Sequence, residues 1–427
     1  MKYLSLNNPS FKVNFRDAVL MGQAPEKGLF FPEQIPVVPE FILKNLNTFS
    51  KEEIAFQITQ PFVGDIIDSN SLKEIVKETV NFDFPLIPIN ESVYALELFH
   101  GPTGAFKDVG ARFLSRVLHY FSKDSNQKLT VLVATSGDTG GAVADAFFKK
   151  NNIDVYILFP SGKVSELQHT QLTCYGENIH ALEVAGTFDD CQMLVKQAFD
   201  DKVLNKKFRF ISANSINIAR WVSQQFYYFF ALQKWPHKQP PVISVPSGNL
   251  GNISAGLLAK ATGLETGDFI AACNENKALT DYLQTGVFKP KETVKTISNA
   301  MDVGNPSNFK RVIECLLKDK NKSGLTSFSF TSEETKNAIQ SVYLQNKYLM
   351  DPHGAVGYLA LKKYLESHPG SKGIFLETAH PAKFSNIIQP IIGREPEIPK
   401  QFLKYDKSNS QSEKIKPLYQ ELLQHLS

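Results

Sequence analysis

Cysteine is scarce in this chain of 427 residues: Cys174, Cys191, Cys273 and Cys315 are all there are. None forms a C-x-x-C pair, and their separations match no metal-site spacing. A disulfide framework and a bound metal are therefore not expected, and scattered thiols in a reducing compartment are. The start, MKYLS, lacks the charged opening and apolar run of a secretory leader. No apolar run reaches the ~18 residues that a membrane span needs. Charge of one sign is also missing, since 46 Lys and Arg against 43 Asp and Glu leave +3. So small an excess argues against a nucleic-acid or membrane partner, although local basic clusters can still hold a small anion. Internal repeats and low-complexity stretches are absent, and nothing points to an obligate protein partner. The expected location is the cytoplasm.

What is present is a large supply of core: 42% of residues are hydrophobic, and the length suits two or three domains. Up to about residue 84, polar loops alternate with helical patterns. Residues 71–80 read as a helix with Ser71 as cap and Glu74 placed for a capping box. From about residue 93, short apolar strands alternate with amphipathic helices. Strands are expected at 129–134, 154–159, 207–211, 242–245, 269–272 and 373–377. After Lys107, apolar residues recur every three or four positions at Ala111, Leu114, Val117, Leu118 and Phe121. Such alternation predicts an α/β fold with mostly parallel sheets, whose sites lie on loops beyond the strand carboxyl ends. The aromatic cluster 226–230 reads as core. Residues 351–354 read as a turn that starts a helix, and the polar tail after 394 as a peripheral helix.

Three segments on such loops carry chemistry. The first, FHGPTGAFKDVG (99–110), places Lys107 where a helix begins. The positive end of a helix dipole disfavours ammonium, and Schiff-base chemistry requires a neutral amine. The second, ATSGDTGG (134–141), follows an apolar strand and precedes a helix over 142–148. Backbone amides there, with the hydroxyls of Thr135, Ser136 and Thr139, suit a carboxylate or phosphate. The third, VPSGNLGN (245–252), again joins a strand to a helix. Gly248 and Gly251 let the backbone fold around an anion, and Asn249 and Asn252 add donors. It lacks the Walker lysine and the dinucleotide glycine spacing. Together the three supply an activated amine, an anion-binding turn and a second anion cradle, the set that a lysine paired with a phosphorylated aldehyde requires.

These motifs, in this order, resemble those of the threonine synthase family. The resemblance extends to the opening MKYLS, to GLFFP (28–32) and to ETAHPAK (377–383), and is strongest to the bacterial and fungal branch. The short start shows no sign of the long regulatory extension of plant enzymes. The resemblance implies a fold-type II (tryptophan-synthase-β-like) pyridoxal-5′-phosphate enzyme with parallel sheets in two domains and an N-terminal subdomain. The divisions implied are 1–90, 91–225 with the cofactor lysine and substrate groups, and 226–427 with the cofactor-phosphate loop and the tail. Lys107 matches the Schiff-base lysine, which is also the catalytic base. Gly248, Asn249, Leu250 and Asn252 match the loop that holds the cofactor phosphate, and Thr378 the hydroxyl beside the pyridine nitrogen. NSINIAR (214–220) is similar to the segment that contacts the substrate phosphate, which assigns Asn214, Ser215 and Arg220, with Thr139. Thr135 and Ser136 fall where the substrate carboxylate is held. Asp138 stands where many fold-type II enzymes have Asn beside the cofactor's 3′-oxygen, so it either touches the ring or caps a helix.

The implied reaction converts O-phosphohomoserine and water to threonine and phosphate, by γ-elimination and then addition of water at Cβ. Three alternatives stay open: another reaction on the same fold, such as amino-acid dehydration; a phospho-lyase that releases 2-oxobutyrate; and a non-catalytic relative. His100, His119, His353 and His380 are assigned no role; His100 and His380 lie in the matched motifs, where loop packing and catalysis both stay open.

Overall fold

In a computed structural model, described over residues 1–123, 127–318 and 324–426, the apolar runs become the strands of two largely parallel sheets. Five strands run in the order Glu413–Ile415, Ile179–Val184, Ile153–Pro160, Leu129–Ala134, Arg209–Ser212, all parallel. Six run in the order Leu325–Ser329, Phe269–Cys273, Val242–Pro246, Gly373–Glu377, Val93–Glu97, Leu86–Pro88. Only the last of these is antiparallel to its neighbour. The central strands are buried along their whole length. Helices cover both faces of such sheets, so these strands read as continuous apolar runs without alternation. Each fully buried Val, Leu or Ile contributes about 1.5–3 kcal/mol.

The sheets are not built from contiguous blocks of chain. Strand Val93–Glu97 lies in the six-stranded sheet, beside a strand some 280 residues later, and the tail strand Glu413–Ile415 lies in the five-stranded sheet. Two strands therefore cross the divisions 91–225 and 226–427. The tail is accordingly more than a peripheral helix. Besides helix Tyr419–His425 it contributes an edge strand and buries Phe402.

At the N-terminus a small antiparallel sheet (Lys12–Val13, Tyr3–Ser5, Phe30–Pro32) packs into the main core, where Phe31 meets Trp221. The helix expected at 71–80 is Ser69–Thr79, and its cap is Asp68 rather than Ser71. Asp68 accepts from the amides of both Asn70 and Ser71, so the helix starts two residues early. Phe226 to Phe230 are buried, as core. Among the described residues no disulfide joins the cysteines, no group of metal-ligating side chains occurs, and no helix is long and apolar enough to cross a membrane.

Candidate functional site

Lys107 is the first residue of helix Lys107–Ser122. Immediately before it, the Phe106 amide donates to the Thr378 carbonyl at 2.8 Å, and Ala105 bridges Ala379. The end of strand Gly373–Glu377 therefore lies against the start of the lysine helix, although 271 positions separate Lys107 from Thr378. The Lys107 side chain is 16% exposed, and its Nζ lies 3.6 Å from Asp138 Oδ2. Burial pushes its pKa below the ordinary lysine value. Asp138 opposes that shift, while Lys383 and Arg220 add to it.

Strands Leu129–Ala134 and Arg209–Ser212 are parallel neighbours, so the loops that follow them meet at one sheet edge. In the first loop the Thr135 hydroxyl turns inward and accepts from the amides of Gly137 and Gly140, at 3.0 and 2.9 Å. This satisfies the helix start, so the helix runs Asp138–Phe147 rather than from 142. Asp138 is not the cap: Gly137 holds that position and Asp138 is the first helical residue. Its carboxylate instead accepts from Gln168 Nε2 at 3.0 Å and pairs with Lys383 Nζ at 2.8 Å. Burial works to raise its pKa, but Lys383 and Lys107 outweigh burial and hold it below the usual carboxylate range. Ser136 and Thr139 remain half-buried at the loop surface.

The second loop carries Asn214 and Ser215 and leads into helix Ile218–Gln224. Arg220 is 2% exposed. Nη1 donates to the Ala213 carbonyl, and Nε has no hydrogen-bond partner among the described residues. Arg220 forms no ion pair with a carboxylate among those residues, and burial holds its pKa down at about 10. It passes close to the lysine helix at Gly110, where a Cβ would stand 3.2 Å from Arg220 Nε. Leaving a buried cation half-satisfied is costly unless an anion completes it.

Segment 247–252 follows strand Val242–Pro246, the parallel neighbour of Gly373–Glu377, so it and Thr378 share another sheet edge. Leu250 takes a left-handed conformation (φ 60°) and caps helix Gly251–Ala261. Asn252 Oδ1 accepts from Tyr228, which leaves its buried Nδ2 without a partner among the described residues. Asn249 Nδ2 donates to Ser215 Oγ at 2.9 Å, which joins the two anion-binding loops directly. A Cβ at Gly248 would lie 2.6 Å from Met301 Cα and 3.2 Å from the Ala300 carbonyl. That turn is braced by His353, whose ring accepts from the Ala300 amide and bonds Asp351. Since backbone cannot yield as a side chain can, Gly248→Ala is expected to cost about 1–3 kcal/mol of stability and to weaken cofactor binding. Denaturant midpoints with and without cofactor measure both. Unchanged midpoints would show that the approach is looser than this.

Three family descriptions match the chain: Threonine synthase N terminus over residues 2–80, Pyridoxal-phosphate dependent enzyme over 82–376, and Threonine synthase, C-terminal over 354–425. The chain is 42% identical to the threonine synthase of Haemophilus influenzae, over 95% of each chain. It is 41% identical to that of Escherichia coli, over 94% of this chain and 93% of that one. The chain belongs to the threonine synthase family. The solved structure of the Escherichia coli threonine synthase superposes with a TM-score of 0.93 at 39% identity, covering 100% of this chain and 99% of that one. For the PLP-bound threonine synthase from Brucella melitensis the values are 0.91, 33%, 100% and 98%. A maize serine racemase shares the fold alone, with a TM-score of 0.57 at 17% identity over 75% of this chain and 96% of that one. The fold is thus fold-type II, and this threonine synthase family member is a pyridoxal-phosphate-dependent lyase acting on a small molecule.

The residues present fit that cofactor. They combine an amine of lowered pKa, a cradle with no room for a Cβ at 248, and an unpartnered buried donor on Asn252. Thr378, 6% exposed, lies at the end of its strand beside the lysine helix. His380 caps its own turn, where burial first and His100 second hold its pKa at about 4. His100 bonds Glu97 and stacks on Phe99.

Three residues escape sequence reasoning. Arg311 is fully buried, stacked on Trp221, and donates to the carbonyls of Phe30, Ser215 and Ile216, so it holds the Asn214–Ser215 loop from behind. Asn308 donates to Ser215 Oγ and to the Asn249 carbonyl. Neither carries a local signal, being about 90 residues from the loop it supports. Lys383, the third, stands at the end of ETAHPAK, but nothing in that segment points to its partner Asp138.

Proposed function

We propose that this chain makes threonine and phosphate from O-phosphohomoserine and water, with Lys107 as its catalytic residue. The observation that carries the reading is Arg220: a buried guanidinium without a carboxylate partner among the described residues, near Lys107 and on a helix separate from the 247–252 cradle. Two separate anion sites suit a phosphorylated cofactor together with a phosphorylated substrate.

Bound pyridoxal phosphate supplies an aldehyde for the substrate amine and a ring that withdraws electrons from Cα. Gly248, Asn249, Leu250 and Asn252 would hold its phosphate, and Asp138 and Thr378 would lie on the ring side of the site. Thr378 would offer the pyridine nitrogen a neutral hydroxyl, which would not require that nitrogen to be protonated. Lys107 takes the proton from Cα and carries protons at Cβ and Cγ. Arg220, with Asn214, Ser215 and Thr139, grips the substrate phosphate and neutralises it as it leaves Cγ. Ser136 offers a hydroxyl to the substrate carboxylate. Thr135 shapes the same loop and keeps its own hydroxyl proton to donate, its oxygen being taken by two amides. Water then adds at Cβ. In this reading residues 91–225 supply the lysine and the substrate groups, residues 226–427 supply the cofactor-phosphate loop, and the enzyme works in the cytoplasm without an obligate protein partner.

Incubation of the cofactor-loaded protein with O-phosphohomoserine tests it. Threonine and phosphate in equal amounts are expected. Phosphate with 2-oxobutyrate instead would make the protein a phospho-lyase, and no turnover would make it a non-catalytic relative.

A further inference from the structure

Asp138 stands between two lysines. Oδ1 accepts from Lys383 Nζ at 2.8 Å, whereas Oδ2 is 3.6 Å from Lys107 Nζ. The first distance is a charge-assisted hydrogen bond, and the second is a Coulombic contact only. Lys383 comes from the short turn Pro381–Phe384 and is wholly buried. Its other bond is to the Thr103 carbonyl at 2.9 Å, which Gln171 also engages at 3.0 Å. One carboxylate therefore faces two lysine nitrogens, and Lys383 has the closer claim on it. A buried ammonium needs a counter-charge, and Lys383 has no other carboxylate within ion-pair distance among the described residues.

We propose that Lys383 is a positioning residue for Lys107: by holding Asp138 in its own ion pair, it keeps that carboxylate from fastening Lys107 as an ammonium, and so leaves the Lys107 amine free to take the cofactor aldehyde and to carry protons. The proposal rests on Lys107 being the cofactor-bearing lysine.

The charged groups facing Lys107 are Asp138 from helix Asp138–Phe147, Lys383 from its turn and Arg220 from helix Ile218–Gln224. Asp108, next along its own helix, is turned onto Thr103, with bonds of 2.9 Å from the amide and 2.5 Å from the hydroxyl. Lys383 and Arg220 both lower the Lys107 pKa, and Asp138 raises it. Removing Lys383 takes away one lowering influence and leaves Asp138 to Lys107 alone, so the Lys107 pKa must rise.

The test follows recombination of the full-length, cofactor-depleted protein with pyridoxal 5′-phosphate, by visible absorbance between about pH 6 and pH 10. Capture of the aldehyde requires the neutral amine, so the rate inflects at the Lys107 pKa. Lys383→Met is expected to move that inflection up by about 1–2 pH units and to slow recombination at neutral pH about 10- to 100-fold. Asp138→Asn combined with Lys383→Met should bring the inflection back down, because the carboxylate that captures Lys107 is gone. A merely structural Lys383 would slow recombination at every pH, with no shift and no rescue. If Lys383→Met does not fold, Lys383→Gln keeps a donor to Thr103 without the charge and carries the same expected shift. An unmoved inflection in the folded variant overturns the proposal. Borohydride reduction of the loaded wild type separates the two readings. Label on a lysine other than Lys107 sinks the premise, whereas label on Lys107 with an unmoved inflection sinks the role of Lys383 alone.

Discussion

Lys107→Ala is expected to abolish threonine formation, by at least about 10⁴-fold, while leaving a folded protein. The magnitude is the upper range for one positioned acid–base group, and Lys107 is assigned both the link to the cofactor and the proton transfers. The fold should survive because the partner left behind is already satisfied: Asp138 keeps its 2.8 Å bond to Lys383 and its bond from Gln168. An uncompensated buried carboxylate, which typically costs several kcal/mol, is not created. The absorbance of the lysine-linked cofactor, near ~410–430 nm, should vanish. Borohydride should fix the cofactor of the wild type to the peptide that contains Lys107. Substantial residual turnover in Lys107→Ala, or a fixed label on another lysine, would transfer the role elsewhere.

Arg220→Ala should behave differently, and the contrast tests the substrate rather than the fold. Cofactor binding and the visible spectrum should persist, since the 247–252 cradle lies on another strand end. Activity on O-phosphohomoserine should fall by about 30-fold to several thousand-fold, the equivalent of roughly 2–5 kcal/mol for a charge-assisted contact to a desolvated phosphate. The fold should survive, because no carboxylate among the described residues is left unpaired, although the bond to the Ala213 carbonyl and the buried volume are lost. Arg220→Lys should recover only part of the activity, since an ammonium lacks the planar fork. Inorganic phosphate should compete with substrate in the wild type and compete less well in Arg220→Ala. One structural link qualifies the separation of the sites: Ser215 and Asn249 are hydrogen-bonded, so a small change in cofactor affinity can accompany a large change in activity. If Arg220→Ala loses cofactor while its KM is retained, the two anion sites are assigned in the wrong order. If nothing changes, Arg220 is a structural residue.

The α/β class was legible because strands buried on both faces must be apolar throughout. Leu129–Ala134 and Gly373–Glu377 lie where those runs predict, and the other expected strands differ by one or two residues at their ends. Helix starts were less legible, since a cap is decided by geometry as well as by residue type. Asp68 rather than Ser71 caps its helix, and a threonine hydroxyl two residues before the cap position carries Asp138–Phe147 back to Asp138.

The residues proposed for the site came from three local motifs and a resemblance. Local motifs alone leave open which loops face one another, and sequence separation gives no clue to it. Parallel pairing of Leu129–Ala134 with Arg209–Ser212, and of Val242–Pro246 with Gly373–Glu377, brings four loops to two sheet edges. The bond from Phe106 to Thr378 then brings the lysine helix to one of them. The amino-acid order by itself determined the periodicities, the glycine-rich turns and the lysine at a helix start, all of which act within a few residues. Only the tertiary structure decided that Asp138 is shared by Lys107 and Lys383, that Arg220 is buried without a carboxylate partner, and that Arg311 and Asn308 brace the loop of Ser215. Those are balances of charge and desolvation among residues far apart in the chain, and they exist only once packing has excluded water from between them.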